Sequence, residues 1–411
     1  MTSKELMALD RQYVLGTYGR NPIAIDHGKG ATVYDPEGNE YIDFTSGIGV
    51  NSLGYGNEKW AKAIYDQALK LGHMSNLYYT EPCAKLAEQL CTRTGMSAAF
   101  FGNSGAEANE GIIKLARKYS YDKYGEGRST VVTLKDSFHG RTITTLNATG
   151  QDVFHQYFFP FTEGFLYAKP NDFSDLVLTA DDTVCAVMME LIQGEGGVNP
   201  LDKEYVKNVA ELCKKNDWLL LIDEVQTGVG RTGTLFAFQD YDIEPDAVSF
   251  AKGIAGGLPM GGFLVSEKAR PTLGPGTHAS TFGGNPIAAS AALEVLNTLD
   301  DQLLLEVREK GNYIAAAVHN MRSGNIEAIK GKGLMIGLQM IGADAGQTSE
   351  ALASRGLLTL TAHGNVLRFL PPLVITIEEI DKGLAILQSL LGWPRHPAVP
   401  ARRLRLFGSC H

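Results

Sequence analysis

The chain has 411 residues, 37 Lys+Arg against 46 Asp+Glu, a formal charge of −9 at neutral pH and 44% hydrophobic residues. That length predicts two or three domains with ample core, and the acidic balance argues against a nucleic-acid partner. No apolar run is long enough to cross a membrane, and the N-terminal MTSKELMALDRQYV does not read as a secretory leader. Five cysteines (Cys83, Cys91, Cys185, Cys213 and Cys410) form no C-x-x-C pair, so neither a disulfide framework nor a thiolate metal site is expected. The class is a soluble, cytoplasmic protein of enzyme size.

In chain order, residues 98–101 (AAFF) predict a strand that runs into GNSGAEANE and then a helix. Along that helix Ala108, Ile112, Ala116 and Tyr119 recur at spacings of four and three, one apolar face. Further strands are predicted at 130–134, 184–189, 218–222, 247–250 and 262–265, with a helix at 203–215. Continuous apolar strands alternating with helices imply an α/β fold with a mostly parallel sheet covered on both faces. In such sheets the polar site lies beyond the carboxyl ends of the strands. From about Pro286 the pattern changes to helices at 288–299 and 303–321, then strands in GKGLMIGLQM and VLRFLPPLVIT. This predicts an N-terminal segment 1–50 packing with a smaller α+β domain at 286–393, a large domain at 51–285, and a disordered tail or expression scar at 394–411.

Three segments carry chemistry. In GNSGAEANE the small residues Ser104, Gly105 and Ala106 open a helix, where free N–H groups and the helix dipole favour an anion. The simpler reading is a plain N-cap by Ser104 or Asn103. In LLLIDEVQTG, Asp223 ends an apolar strand, where a carboxylate must be paired or hydrogen-bonded; a capping Asp is the bland alternative. Five residues on, GVGRTG matches the dinucleotide fingerprint in letters only, because five residues separate it from the strand and no helix opens on its last glycine. In SFAKGIAGGLPMGG, Lys252 follows the strand at 247–250. An amine drawn into a partly dry site loses pKa and becomes a nucleophile, although a solvated charge is the default for any single lysine.

The combination decides between these readings. Asp223 and Lys252 each end a consecutive core strand, and parallel pairing sets the two ends side by side. An acid and an amine beside an anion-binding helix start form the polar end of a pyridoxal phosphate site. Phe138 and Arg141 in SFHGRT offer an aromatic platform and a carboxylate fork. Arg368 in VLRFLPP sits among apolar residues, where an unpaired guanidinium is costly, and MELIQGEGG supplies Glu190 and Glu195.

At these residues the chain resembles the class III, fold type I pyridoxal-phosphate-dependent aminotransferases, nearest their acetylornithine branch. The blocks LIDEVQTGVGRTG, FAKGIAGGLPMGG and STFGGNP carry the resemblance, which runs from about Tyr18 to Gly392. It implies that Lys252 carries the cofactor and moves the substrate proton, and that Asp223 pairs with the ring nitrogen. Gln226 would contact the ring's phenolic oxygen, Val225 and Phe138 would flank the ring, and Ser104, Gly105 and Ala106 would hold the phosphate. Thr281 would reach the phosphate of a neighbouring subunit, making the active unit a homodimer with shared sites. Arg141, Arg368 and Tyr18 would serve substrate carboxylates, with Glu195 pairing to Arg368 in their absence.

The implied reaction moves the terminal amine of N2-acetylornithine to 2-oxoglutarate. Ornithine, succinylornithine and 4-aminobutyrate remain alternative donors, and a nicotinamide-dependent oxidoreductase rests on GVGRTG alone. No metal is implied. Leu191 stands where the family usually has Pro, and SLGYGNEKW replaces the common L-G-H-x-H-P.

Overall fold

The computed structural model describes residues 1–392, so the tail expected at 394–411 lies outside the described residues. A seven-stranded sheet forms the centre, in the spatial order Ala98–Gly102, Gly261–Val265, Ala247–Phe250, Leu219–Asp223, Val184–Met189, Thr130–Leu134, Phe165–Ala168. The four pairings from Ala247–Phe250 to Phe165–Ala168 are parallel. Gly261–Val265 is the exception, antiparallel to both its neighbours.

The strand residues alternate between two cores. Val132, Leu134, Val187, Met189, Leu220, Ile222, Val248 and Phe250 face one apolar cluster. Val131, Ala186, Met188, Leu219, Leu221, Ala247 and Phe263 face the other. With both faces covered, every second residue has no reason to be polar, so the runs read as continuously apolar.

The helix Gly105–Tyr124 covers the second face through Ile112, Ile113, Leu115 and Ala116. Gly111 lets it approach, since a Cβ there would stand 2.3 Å from the Phe263 ring. The expected helix at 288–299 is Pro286–Thr298. Asn285 caps it by accepting from the Ile287 and Ala288 amides at 3.0 and 3.3 Å, with Pro286 in the first turn. The helix expected at 303–321 begins at Asp301, capped by Asp300.

Beyond these helices an antiparallel sheet orders Ile326–Lys332, Met335–Met340, Val366–Phe369 and Leu360–Ala362. A third sheet joins His27–Lys29, Thr32–Tyr34 and Glu40–Asp43 near the N-terminus to Leu357–Leu358, which pairs in parallel through Leu357 and Ile42. The GVGRTG segment is a turn, with Gly230 and Gly233 at positive φ. It carries buried Arg231, whose guanidinium donates to the carbonyls of Leu334 (3.1 Å) and Pro371 (2.5 Å). Those glycines serve a turn that locks distant segments together.

Candidate active site

The strand Leu219–Asp223 delivers Asp223 to its carboxyl end with 3% of its surface exposed. Three donors converge on it. Asn109 Nδ2 lies 2.7 Å and His139 Nδ1 2.8 Å from Oδ2, and the Val225 amide donates to Oδ1 at 3.0 Å. A carboxylate only accepts, so the imidazole carries a proton on Nδ1. His139 Nε2 and Asn109 Oδ1 are buried and have no hydrogen-bond partner among the described residues. Neither Asn109 nor His139 stands out in the sequence, although both lie inside segments that do.

Lys252 opens the short turn Lys252–Ala255 just past the strand Ala247–Phe250, at a φ of +40°. Desolvation pulls its amine below the ordinary lysine value, against the opposing pull of Glu195 and Asp223. A lowered pKa leaves more of the amine in its nucleophilic form.

Ser104 caps the helix Gly105–Tyr124, its hydroxyl accepting from the Glu107 amide at 3.2 Å. The Glu107 carboxylate accepts from the Asn103 amide (2.9 Å), the Asn103 side chain (2.8 Å) and the Ser104 hydroxyl (2.9 Å). The amides of Gly105 and Ala106 find no acceptor among the described residues. Two free N–H groups at a helix start are an anion cradle. A Cβ on Gly105 would stand 2.8 Å from Val225, so only glycine lets helix start and Val225 come together.

Ser104, Gly105, Ala106, Phe138, Arg141, Asp223, Val225, Gln226 and Lys252 all line one cavity of about 420 Å³, together with Glu190 and His139. Glu190 is buried and accepts from the amides of Phe138 (3.0 Å) and Gly194 (3.1 Å). Burial pushes its carboxyl up to about 7.

Arg368, on the strand Val366–Phe369, forms a two-pronged ion pair with Glu195 at 2.7 and 3.2 Å, and the same Nη1 donates to Gln226 Oε1 at 3.2 Å. Burial alone would raise the Glu195 carboxyl, but the guanidinium outweighs it and holds the group below its usual range. Arg368 Nε is buried without a hydrogen-bond partner among the described residues.

Four expected residues do not line the cavity in the single chain: Arg368 and Glu195 adjoin it through Gln226, and Thr281 and Tyr18 lie away from it. Thr281 is exposed on the loop before Pro286–Thr298, and Tyr18 is 75% exposed, its ring 5.7 Å from the Arg20 guanidinium. Leu191 is buried, and its carbonyl accepts from the Leu201 amide and the Tyr241 hydroxyl.

These groups fit pyridoxal 5′-phosphate. The paired free amides match a phosphate, the triply satisfied carboxylate a pyridinium nitrogen, the depressed amine a carbonyl carbon, and Phe138 an aromatic ring. Fold and site together define a pyridoxal-phosphate-dependent transferase of fold type I.

The comparisons narrow this further. The aminotransferase class-III family model matches residues 16–391. An acetylornithine aminotransferase of Haemophilus ducreyi is 49% identical over 95% of this chain and 99% of its own. One of Caldanaerobacter subterraneus is 45% identical over 94% and 99%. Among solved structures, the ornithine aminotransferase of Toxoplasma gondii superposes with a TM-score of 0.91 at 32% identity, covering 95% of each chain. The N-acetylornithine aminotransferase of Stenotrophomonas maltophilia superposes at 0.81 with 36% identity, covering 93% and 98%. The chain belongs to the class III aminotransferases.

Proposed function

We propose that the enzyme transfers the terminal amine of N2-acetyl-L-ornithine to 2-oxoglutarate, giving N-acetyl-L-glutamate 5-semialdehyde and L-glutamate. The observation that carries this reading is a pair of guanidiniums in different states around one amine. Arg368 is neutralised by Glu195, whereas Arg141 makes no ion pair or hydrogen bond among the described residues. A transaminase of this reaction must accept glutamate by its α-amine and the second donor by its terminal amine. The α-carboxylate therefore lies near the amine in one case and far from it in the other. A guanidinium that can be released and another that stays free meet both demands. The names of the Haemophilus and Caldanaerobacter relatives support the acetylated donor.

In this reading Ser104, Gly105 and Ala106 seat the cofactor phosphate, Val225 and Phe138 flank its ring, and Gln226 meets the ring oxygen. When bound, the cofactor supplies an electron sink for the carbon that loses its proton. Asp223, held by Asn109 and His139, presents a fixed anion to the ring nitrogen. Lys252 accepts the substrate proton on Nζ and returns it at the other end of the reaction.

The active unit is read as a homodimer in which Thr281 serves the neighbouring phosphate. Exposed Leu77, Tyr79 and Phe282 support it, because Asn76 ties their two loops into one face through the carbonyls of Ser280 (3.0 Å) and Gly283 (2.9 Å). Tyr18 is read as assisting Arg141. The four cysteines among the described residues are all free, which supports a reducing compartment, hence the cytoplasm. Division at about residues 50 and 285 is read from the three larger sheets.

A panel of donors with 2-oxoglutarate tests the reading through kcat/KM, with Lys252→Ala as the blank. Acetylornithine is expected to lead. Ornithine or 4-aminobutyrate in its place would move the protein to another branch.

A further inference from the structure

We propose that Phe154 is a positioning residue for substrate selection. Its ring face holds the Arg141 guanidinium at the cavity mouth, ready for the distal carboxylate of a dicarboxylic or ω-amino substrate. The proposal rests on the reading of Arg141 as the carboxylate fork.

Arg141 Cζ stands 4.1 Å from the centre of the Phe154 ring and 5.5 Å from that of Phe138. These two rings are the partners the structure gives the guanidinium among the described residues. A long, exposed arginine otherwise samples many rotamers, and a carboxylate that binds it must then meet the cost of ordering it. A cation over an aromatic face is ordered beforehand while its N–H edge stays open, because the ring engages the flat of the guanidinium and leaves the fork unused.

The platform is itself held. Phe154 closes the short turn Asp152–Phe154, its amide donating to the Gln151 carbonyl at 3.0 Å. The Gln151 side chain donates to the Ser137 carbonyl at 2.9 Å, and the Gly150 amide donates to the Ser137 hydroxyl at 3.0 Å. Ser137 immediately precedes Phe138, so both rings hang from one anchor. They meet edge to face with centres 6.0 Å apart. Gly140, next to Arg141, has a φ of +146°, and a Cβ there would stand 2.4 Å from the Thr145 hydroxyl. The main chain under the guanidinium is therefore as constrained as the rings.

The consequence is selective. A substrate whose only carboxylate lies beside the reacting amine gains nothing from Phe154, whereas one with a second carboxylate does. In Phe154→Leu, the ratio of kcat/KM for glutamate over alanine, from single-turnover half-reactions, is expected to fall roughly two- to fivefold, the worth of an exposed cation–π contact. Calorimetric binding of glutarate is expected to weaken by the same factor, and Phe154→Tyr is expected to restore both.

A difluorinated phenylalanine at position 154 keeps the shape and weakens the ring's negative face, so it reads the same contact if the leucine variant folds poorly. Its glutamate-to-alanine ratio is expected to fall as well. Equal losses for glutamate and alanine, or unaltered glutarate binding in a folded variant, would overturn the proposal. A different leading donor in the panel would change the branch and leave this ratio as it is.

Discussion

Replacing Glu195 by alanine separates the two amine specificities. Arg368 has a side chain only 3% exposed, while that of Glu195 is 30% exposed. Removing the carboxylate leaves a buried guanidinium with Gln226 as its side-chain partner. Losing a hydrogen-bonded charge costs about 1.5–3 kcal/mol, and the partial exposure of Glu195 favours the lower half, so about 2 kcal/mol is the expected scale. Which half-reaction carries that cost depends on what faces Arg368. Glutamate brings its own α-carboxylate, and in the variant it no longer has to displace Glu195. Acetylornithine brings its terminal amine and an apolar stem, which leave the guanidinium bare. The ratio of kcat/KM for glutamate over acetylornithine should therefore rise by about thirtyfold, at 1.4 kcal/mol per factor of ten. Single-turnover absorbance changes of the cofactor, followed separately for each amine, measure it. Equal losses in both directions would refute the gate and reduce the ion pair to scaffolding.

Asp223→Asn should retain the cofactor yet lose activity by orders of magnitude, since a neutral amide cannot hold a ring nitrogen protonated; near wild-type turnover would make Asp223 merely structural. Thr281→Val should weaken cofactor retention in step with dimer dissociation, and fluorescence of the bound cofactor on dilution reads it. Retention independent of protein concentration, in a monomeric enzyme, would contradict that role. Glu224 is fully buried and accepts from Thr227 Oγ1 (2.9 Å) and the amides of Ala237 (2.8 Å) and Phe238 (2.7 Å), with burial raising its carboxyl to about 7. An acid whose folded pKa is raised binds its proton more tightly when folded. Its stability contribution is therefore present below the unfolded value and lost as pH rises to about 7, up to about 3 kcal/mol. Urea midpoints for Glu224→Gln should show a shallower fall across that window, and an unaltered slope would assign the titration elsewhere.

The central strands were readable because burial on both faces makes them uniformly apolar, and their polar terminators Asp223 and Lys252 then stand out. The helices Glu58–Lys70 and Glu81–Thr94 were not readable, for the opposite reason. The first has Gln67 as its one buried residue and the second only Leu86 and Leu90, so the apolar residues that recur along them stay half-buried or exposed in the single chain. The strand Phe165–Ala168 lies at the sheet edge and is mostly half-buried. The short N-terminal strands take part of their pairing from Leu357–Leu358, more than 300 residues away in the chain. Within the site, residues acting through their own chemistry were legible, whereas those acting through a neighbour were not. His139 and Asn109 reach Asp223 across 84 and 114 residues, a proximity that only the folded chain creates.

The one reversed strand explains how so many groups meet at a single edge. Leu219–Asp223 and Ala247–Phe250 run in parallel with Asp223 opposite Ser249, so the chain leaves both at the same end and places Asp223 and Lys252 there. Gly261–Val265 then runs back antiparallel, and Ala98–Gly102 runs antiparallel to it in turn. Two reversals restore the original direction. The carboxyl end of Ala98–Gly102 therefore arrives at the same edge, paired through Gly102 and Gly261, and the helix beginning at Gly105 opens its free amides toward the same cavity. The junction is tight, because a Cβ on Gly261 would stand 2.3 Å from the Ser104 carbonyl oxygen. A side chain there would have to push the helix start away from Val225 and Asp223. The glycines clustered in GLPMGG thus hold an anion cradle, a carboxylate and an amine within the span of one small ligand, and a wholly parallel sheet in the same strand order would have put Gly261 at the opposite edge.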